Sequence, residues 1–388
     1  MTAVPLSQSP DTCPMRPLLD ARAGDLLRVN EPQAVREVLR RVENFAPDNA
    51  LTAVTPLGPD ALRRLARARF ALPPVLASAS GPEHRRVRRV VARFLTPAQV
   101  EAVRPLVVEL THERVDAARR ELADGRAVDL AETVSAHVAP AVFGHLVGLA
   151  MPSTPVLHRW SRHSLELFWG YPDPQRQVDL ADSAAELFAW LTDAVHTRAP
   201  GRPSLFAALR EAGIDEPRLR SLAFFLLIGG QETTAMLTDI ALHEALTSGA
   251  WRSIAQSPQG PASEAEQLVR RMLTTTSSVP TWRRIALRDT TIGGRAVAAG
   301  TPVLVELCRH DRGDIDDSLA FGFGVHRCLG ARLAPLEAST VLAETAAGLP
   351  EVVPAGPAPD WLRLLSFQAP RTMLVRWRSE PVGHGGSR

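Results

Sequence analysis

A chain of 388 residues with 45% hydrophobic content holds enough apolar mass for a large buried core. Its formal net charge of +2 names no polyanionic partner, and no nucleic acid is expected. Cys13, Cys308 and Cys328 lie far apart and suggest no disulfide framework, so a reducing, cytoplasmic setting is expected.

Residues 1–24 read as an irregular arm, without the basic and apolar regions of a signal peptide. No apolar run has the length a membrane span needs, so no membrane association is expected. "NEPQAVREVLRR" predicts a helix capped by Asn30, with Pro32 in its first turn. "FALPPVLASASGPEH", Phe70 to His84, is loop-like. "HRRVRRVVARFL" then runs as a basic helix with Val87, Val90, Val91 and Phe94 on its apolar side. Helical periodicity continues from Pro97 to about Ala199, broken at Gly170 to Pro174. A long helix, very apolar in its first half, is predicted from Arg218 to about Ser248. Strand signals come late, in "RRIALRD", "TTIGGRAVAAG" and "TPVLVEL", with Gly293-Gly294 as a hairpin turn. The Gly-rich tail after Pro381 is expected to be disordered. Without an internal repeat or a composition boundary, residues 1–388 predict one mainly α domain with a small β-sheet region.

Chemistry concentrates in "FGFGVHRCLG", Phe321 to Gly330. Gly322, Gly324 and Gly330 permit positive φ and close approach of backbone to something flat or bulky. A helix predicted from about Leu329 would aim its N–H groups at the sulfur of Cys328 and favour a thiolate. A cradled thiolate without a second Cys or His at zinc spacing suggests a one-ligand metal centre, for which haem iron fits. The plainer alternative is a buried structural cysteine in a Gly-rich turn.

In the long helix, "LLIGGQETTAML" places Gly229, Gly230, Glu232, Thr233 and Thr234 inside apolar sequence. Paired glycines allow a bulge or kink, and an acid there is unfavourable unless it has a partner or a task. Proton delivery beside a metal that binds oxygen is one reading. Threonines bonding back to helix carbonyls are the other. On the basic helix, His84 and Arg88 share a face at i and i+4.

The stretch ending at Gly330 resembles the haem-binding motif of the cytochrome P450 superfamily, F-G-x-G-x-H-x-C-x-G, at every motif position. The resemblance runs in the family's order from about Asn30 to Leu349. It implies the P450 fold, a single triangular helical domain with haem b between the long central helix and the post-cysteine helix. Cys328 is then the axial ligand and metal site, and Phe321, Gly322 and Gly330 frame it. His84, Arg88, Arg284 and His326 take the haem propionates. "GGQET" resembles the oxygen-activation motif, with Thr233 as the hydroxyl that meets dioxygen and Glu232 as proton relay. Gly229 and Gly230 make room for oxygen. The implied activity is a haem-thiolate monooxygenase fed from NAD(P)H through ferredoxin and ferredoxin reductase. Its expected task is oxidative tailoring in bacterial secondary metabolism, on a free small molecule or one tethered to a carrier protein. Arg85, Arg86, Arg89, Arg93, Arg327 and Arg332 suggest a basic face for an acidic ferredoxin.

Two departures stand out. The family's Glu-x-x-Arg pair reads Gln267 to Arg270, and Gln267 is expected to accept a hydrogen bond from Arg270. Glu266 is the alternative partner of Arg270 on the helix surface. The segment from Asp311 to Phe321 is shorter than the family's meander. Pro335 is expected to kink the post-cysteine helix or to weaken one of its hydrogen bonds. An auxiliary, non-catalytic P450-like helper of another biosynthetic enzyme is therefore the rival function. On the substrate side, Leu51, Val54, Leu57, Leu72 and Val75 are expected to cover an apolar pocket, with Phe168, Trp169 and Tyr171 either lining it or packing the core.

Overall fold

The structure is a computed structural model that describes residues 26–197, 201, 203–258, 260–308 and 318–378. The N-terminal arm with Cys13, the tail after Pro381 and most of the short segment before Phe321 lie outside the described residues.

The chain opens with strand β1 (Leu27–Val29) and helix α1 (Pro32–Arg40). The cap of α1 is Glu31 and not Asn30: its carboxylate accepts from Ala34 N at 2.7 Å, and Pro32 fills the first turn. Asn30 lies one residue too early to reach that free N–H. Strand β2 (Phe45–Ala46) and helix α2 (Gly81–Ala92) follow. Val87, Val90 and Val91 of α2 are buried, as is Phe94 just beyond it. Helices α3 (Arg104–Ala123), α4 (Ala136–Val147), α5 (Thr154–Trp169) and α6 (Pro174–Ala194) build most of the first half. The break between α5 and α6 falls where Gly170 and the following prolines predicted it. Before α4, Ala131–Ser135 forms a π-helical turn.

Helix α7 (Glu216–Leu227) runs through a π-helical turn, Ile228–Glu232, into α8 (Thr233–Ser248). This is the bulge expected at the glycine pair. Nearly every side chain of α8 up to Leu242 is buried, because a helix apolar all round belongs in the interior. Met236 faces one apolar cluster, shared with α5, α6 and α7. Leu237, Ile240 and Ala241 face another, shared with α3, α9 (Pro261–Thr275) and α10 (Leu333–Gly348). Burying each leucine or isoleucine contributes about 1.5–3 kcal/mol, so the two clusters hold α8 firmly between them.

Strands β3 (Thr281–Ala286), β4 (Thr290–Ile292), β5 (Arg295–Val297) and β6 (Pro302–Glu306) come between α9 and α10. The main sheet has the order β1-β6-β3-β2. β1 pairs parallel with β6, and β3 pairs antiparallel with it, setting Arg284 opposite Val303. Gly293 and Gly294, both at positive φ, turn the β4–β5 hairpin as the sequence predicts. Strands β1 and β2 went unforeseen because two or three residues carry no readable alternation.

Two expectations about helices are corrected. α10 begins at Leu333, four residues later than Leu329, after a turn in which Ala334 N bonds to Gly330 O at 3.0 Å. Pro335 therefore sits in the first turn, where no intrahelical N–H is needed, and does not break the helix. In α9, Ala265, Leu268, Val269, Met272 and Leu273 face the core, and Gln267 and Arg270 face out. Arg270 pairs with Glu266 at 3.5 Å, while Gln267 reaches back to Ser263 Oγ at 3.5 Å. The expected Gln267–Arg270 contact is replaced by this surface pair.

Candidate active site

The residues that the sequence singles out meet at one cavity of about 240 Å³ between α8 and the loop before α10. Gly229, Gly230 and Thr233 line it from the helix, and Phe321, Gly322, His326, Cys328 and Gly330 from the loop. His84 and Arg88 of α2 and Arg284 of β3 also line it. Glu232 does not.

The cysteine loop is built by glycine. Gly322 and Gly324 both stand at φ +70, and a Cβ on Gly324 would sit 3.2 Å from the Leu39 carbonyl. Cys328 N donates to Phe321 O at 2.8 Å, closing the loop. The sulfur is open to the cavity yet deep in the protein. Burial pushes its thiol pKa up, against the Gly330 N–H, Arg88 and Arg327. The expected thiolate preference is thus outweighed by desolvation in the protein alone, and a bound cation is needed to draw off the proton.

Around the cavity stand Arg88, Arg284, His84 and His326, besides Arg327, with no acid among the described residues that line it. Arg284 is 1% exposed; its Nη1 donates to Arg283 O at 2.8 Å and its Nε has no partner. Burial brings it down to about 10. Arg88 Nη2 donates to Arg327 O at 2.5 Å, tying α2 to the loop. His326 Nε2 donates to Ala79 O at 2.7 Å and leaves Nδ1 unpartnered. Burial, then Arg284, His84 and Arg88, hold its imidazole down to about 4, against the bond to Ala79. The His84 ring lies 4.6 Å from that of His326, with Nε2 unpartnered. Burial, then Arg88 and Arg85, lower its pKa.

On the opposite wall, Thr233 Oγ1 donates to Gly229 O at 2.7 Å and Thr234 Oγ1 to Gly230 O at 3.0 Å. The back-bonding alternative is therefore realised. It leaves the lone pairs of Thr233 free to accept. A Cβ on Gly230 would meet the Phe143 ring at 2.6 Å, so this glycine makes room first of all for Phe143. Glu232 is buried on the far side of the helix, where Arg162 Nε of α5 donates to it at 2.8 Å. Arg162 and its second acidic neighbour, Asp239, carry no sequence motif. Only their burial in the folded chain reveals them.

Most of the rest of the cavity is apolar. Leu51, Leu72, Phe168 and Trp169 line it; Val54, Leu57, Val75 and Tyr171 do not. Trp169, Trp282 and Phe367 pack mutually, with Trp169 and Phe367 edge to face at 5.0 Å. Buried Glu337 of α10 has Oε1 unpartnered, and burial pushes it up to about 8.

A cysteine in a glycine cradle, ringed by unpaired bases and facing a threonine on a bulged helix, defines a haem-thiolate protein. No family model matches the chain. Cytochrome P450 GfsF of Streptomyces halstedii is 30% identical over 73% of this chain and 71% of its own. The mycinamicin IV hydroxylase/epoxidase of Micromonospora griseorubida is 28% identical over 78% of this chain and 79% of its own. Among solved structures, cytochrome P450 CREJ in complex with (4-ethylphenyl) dihydrogen phosphate superposes with a TM-score of 0.82 at 26% identity, covering 91% of this chain and 92% of that one. The chain belongs to the cytochrome P450 family and is a monooxygenase. Its cofactor is haem b, and its electrons come from NAD(P)H through redox partners. The residues fit that cofactor. Haem brings two carboxylates and an iron cation, and the cavity offers buried Arg284 and His84, half-buried Arg88 and His326, and one open thiol. Among the described residues no helix is long and apolar enough to cross a membrane.

Proposed function

We propose that this monooxygenase inserts oxygen into, or otherwise oxidises, a C–H bond of a small apolar molecule in bacterial secondary metabolism. The observation that carries the reading is the set of bases around Cys328 that meet no acid among the described residues of the cavity wall, three of them with an unpartnered nitrogen. Unpaired buried guanidinium is unfavourable unless an anion completes it, so Arg284 makes sense as half of an ion pair with a propionate. Arg88, His84 and His326 complete the clamp, and Cys328 holds the iron. Haem, when bound, supplies the metal at which dioxygen is activated.

The remaining steps belong to the side chains. Thr233 sits on the cavity wall with its proton committed to Gly229 O, so it accepts a hydrogen bond and fixes the donor's orientation. Glu232, behind it and held by Arg162, carries protons from the far side of the helix. The wall of Phe168, Trp169, Trp282 and Phe367 excludes water and receives apolar substrate. The mycinamicin IV hydroxylase/epoxidase supports a tailoring role. A ferredoxin is the proposed electron donor. Its landing face is basic: Arg85, Arg89, Arg93, Arg327 and Arg332 are all exposed. Arg86, although exposed, is bonded to the Ala212 carbonyl.

The test is the absorption spectrum of the reduced, carbon monoxide-bound protein. A Soret band red-shifted as thiolate ligation requires is expected. A protein purified without haem after growth with haem precursor overturns the reading in favour of the auxiliary helper, which the solvent-facing Gln267 and Arg270 of α9 would suit.

A further inference from the structure

We propose that Asp239 is a positioning residue for Glu232, acting through Arg162, whose guanidinium both carboxyl groups face. This rests on the proton-carrying role proposed for Glu232. Asp239 follows Glu232 by seven residues, two helical turns, so both acids lie on one side of the helix, with the neighbouring Thr233 on the cavity wall. Each is about 2% exposed or less. Arg162 Nε lies 2.8 Å from Glu232 Oε1, and its Nη2 3.9 Å from Asp239 Oδ2. Ser135 of the π-helical turn before α4 donates to Asp239 Oδ1.

One buried cation cannot neutralise two buried carboxylates, so one acid keeps a proton. Burial pushes Asp239 up to about 7, against the opposing pull of Arg162 and Ser135; Glu232 and Asp129 add to the rise. From α5, His158 faces Glu232 and Arg162, and Glu132 in turn faces His158. Two charge states follow. With Asp239 protonated, Arg162 belongs to Glu232. With Asp239 ionised, the guanidinium is shared, its hold on Glu232 is divided, and the Glu232 side chain is freer to turn toward the cavity. The proton that leaves Asp239 goes to solvent, so no other group changes charge.

The experiment uses holoprotein with a heterologous ferredoxin, its reductase and NADPH. The share of consumed oxygen released as hydrogen peroxide is measured at about pH 6 and about pH 8. Asp239→Asn fixes the neutral state. It is expected to match wild type at the lower pH and to raise peroxide release roughly three- to tenfold at the higher, part of the factor a general acid contributes. Asp239→Glu, which keeps an acid, is expected to restore the pH dependence. Independently of turnover, the infrared spectrum of wild type minus that of Asp239→Asn should show a carboxylic-acid carbonyl band at the lower pH that is lost at the higher, the bands of other protonated acids such as Glu337 cancelling. A pH profile for Asp239→Asn that follows wild type, or a difference spectrum without that band at the lower pH, overturns the proposal. Should Asp239→Asn not fold, Asp239→Glu beside wild type carries the test: a peroxide share that is the same at both pH values in the two proteins then overturns it. The carbon monoxide spectrum of the same samples separates the outcomes, since loss of the thiolate band sinks the haem reading and a normal band beside a wild-type pH profile that is flat, or that Asp239→Asn reproduces, sinks only the role of Asp239.

Discussion

The two buried charge clusters flanking α8 are opposites. On the cavity side, Arg284, Arg88, His84 and His326 crowd together with no acid among the described residues of the wall, and three of them carry unpartnered nitrogen atoms. On the far side, Arg162 already faces Glu232 and Asp239. The first cluster is incomplete in the protein alone and complete with a dianionic ligand. The second already holds its cation, and a proton on one of its acids completes it. Burial is thus a guide to function only together with a count of partners: an unpaired buried base marks a binding site, and a paired one marks internal wiring.

That contrast can be broken most severely at the sulfur. Cys328→Ala should abolish the thiolate-type carbon monoxide band altogether, in a protein that still folds. Next comes Arg162→Met, which strands two acids. It should destabilise the protein by about 3–5 kcal/mol near neutral pH, read by chemical denaturation, with less loss in acid as Asp239 takes up its proton. Arg284→Met sharpens the comparison, because its sign should depend on the ligand. Without haem it should be neutral or stabilising. With haem it should weaken retention by about 1.5–3 kcal/mol, the worth of a charged hydrogen bond.

Glu337→Gln tests the isolated acid of α10. The native carboxyl keeps its proton up to about 8, while the unfolded one releases it near the ordinary 4.5. Between those values the folded state binds the extra proton, so raising the pH lowers wild-type stability by about 1.4 kcal/mol per unit. Glu337→Gln should therefore melt increasingly above wild type from about pH 5 to about pH 8. The smallest effect belongs to Gln267→Glu. An exposed position beside Glu266 should change stability by no more than about 0.5 kcal/mol.

Legibility followed the range of each interaction. The cysteine loop was readable because glycines, histidine and ligand fall within ten residues and their backbone demands are local. The bulge at Gly229-Gly230 and the hairpin at Gly293-Gly294 were readable for the same reason. Arg162 lies 70 residues from Glu232, and Ser135 lies 104 from Asp239, so neither pairing leaves a pattern in the chain. Where a rule was applied to one residue alone, context reversed it. Pro335 moved from helix interior to first turn, and burial outweighed the charges around Cys328.

The contact between Gly230 and Phe143 has a consequence for how this protein can change. A methyl group at 230 would collide with the ring, and the ring itself borders the cavity. Any mutational path that enlarges residue 230 must therefore first shrink residue 143, and the new volume then appears where substrate lies. Diversification of this chamber is ordered, with position 143 as the first step and position 230 the second.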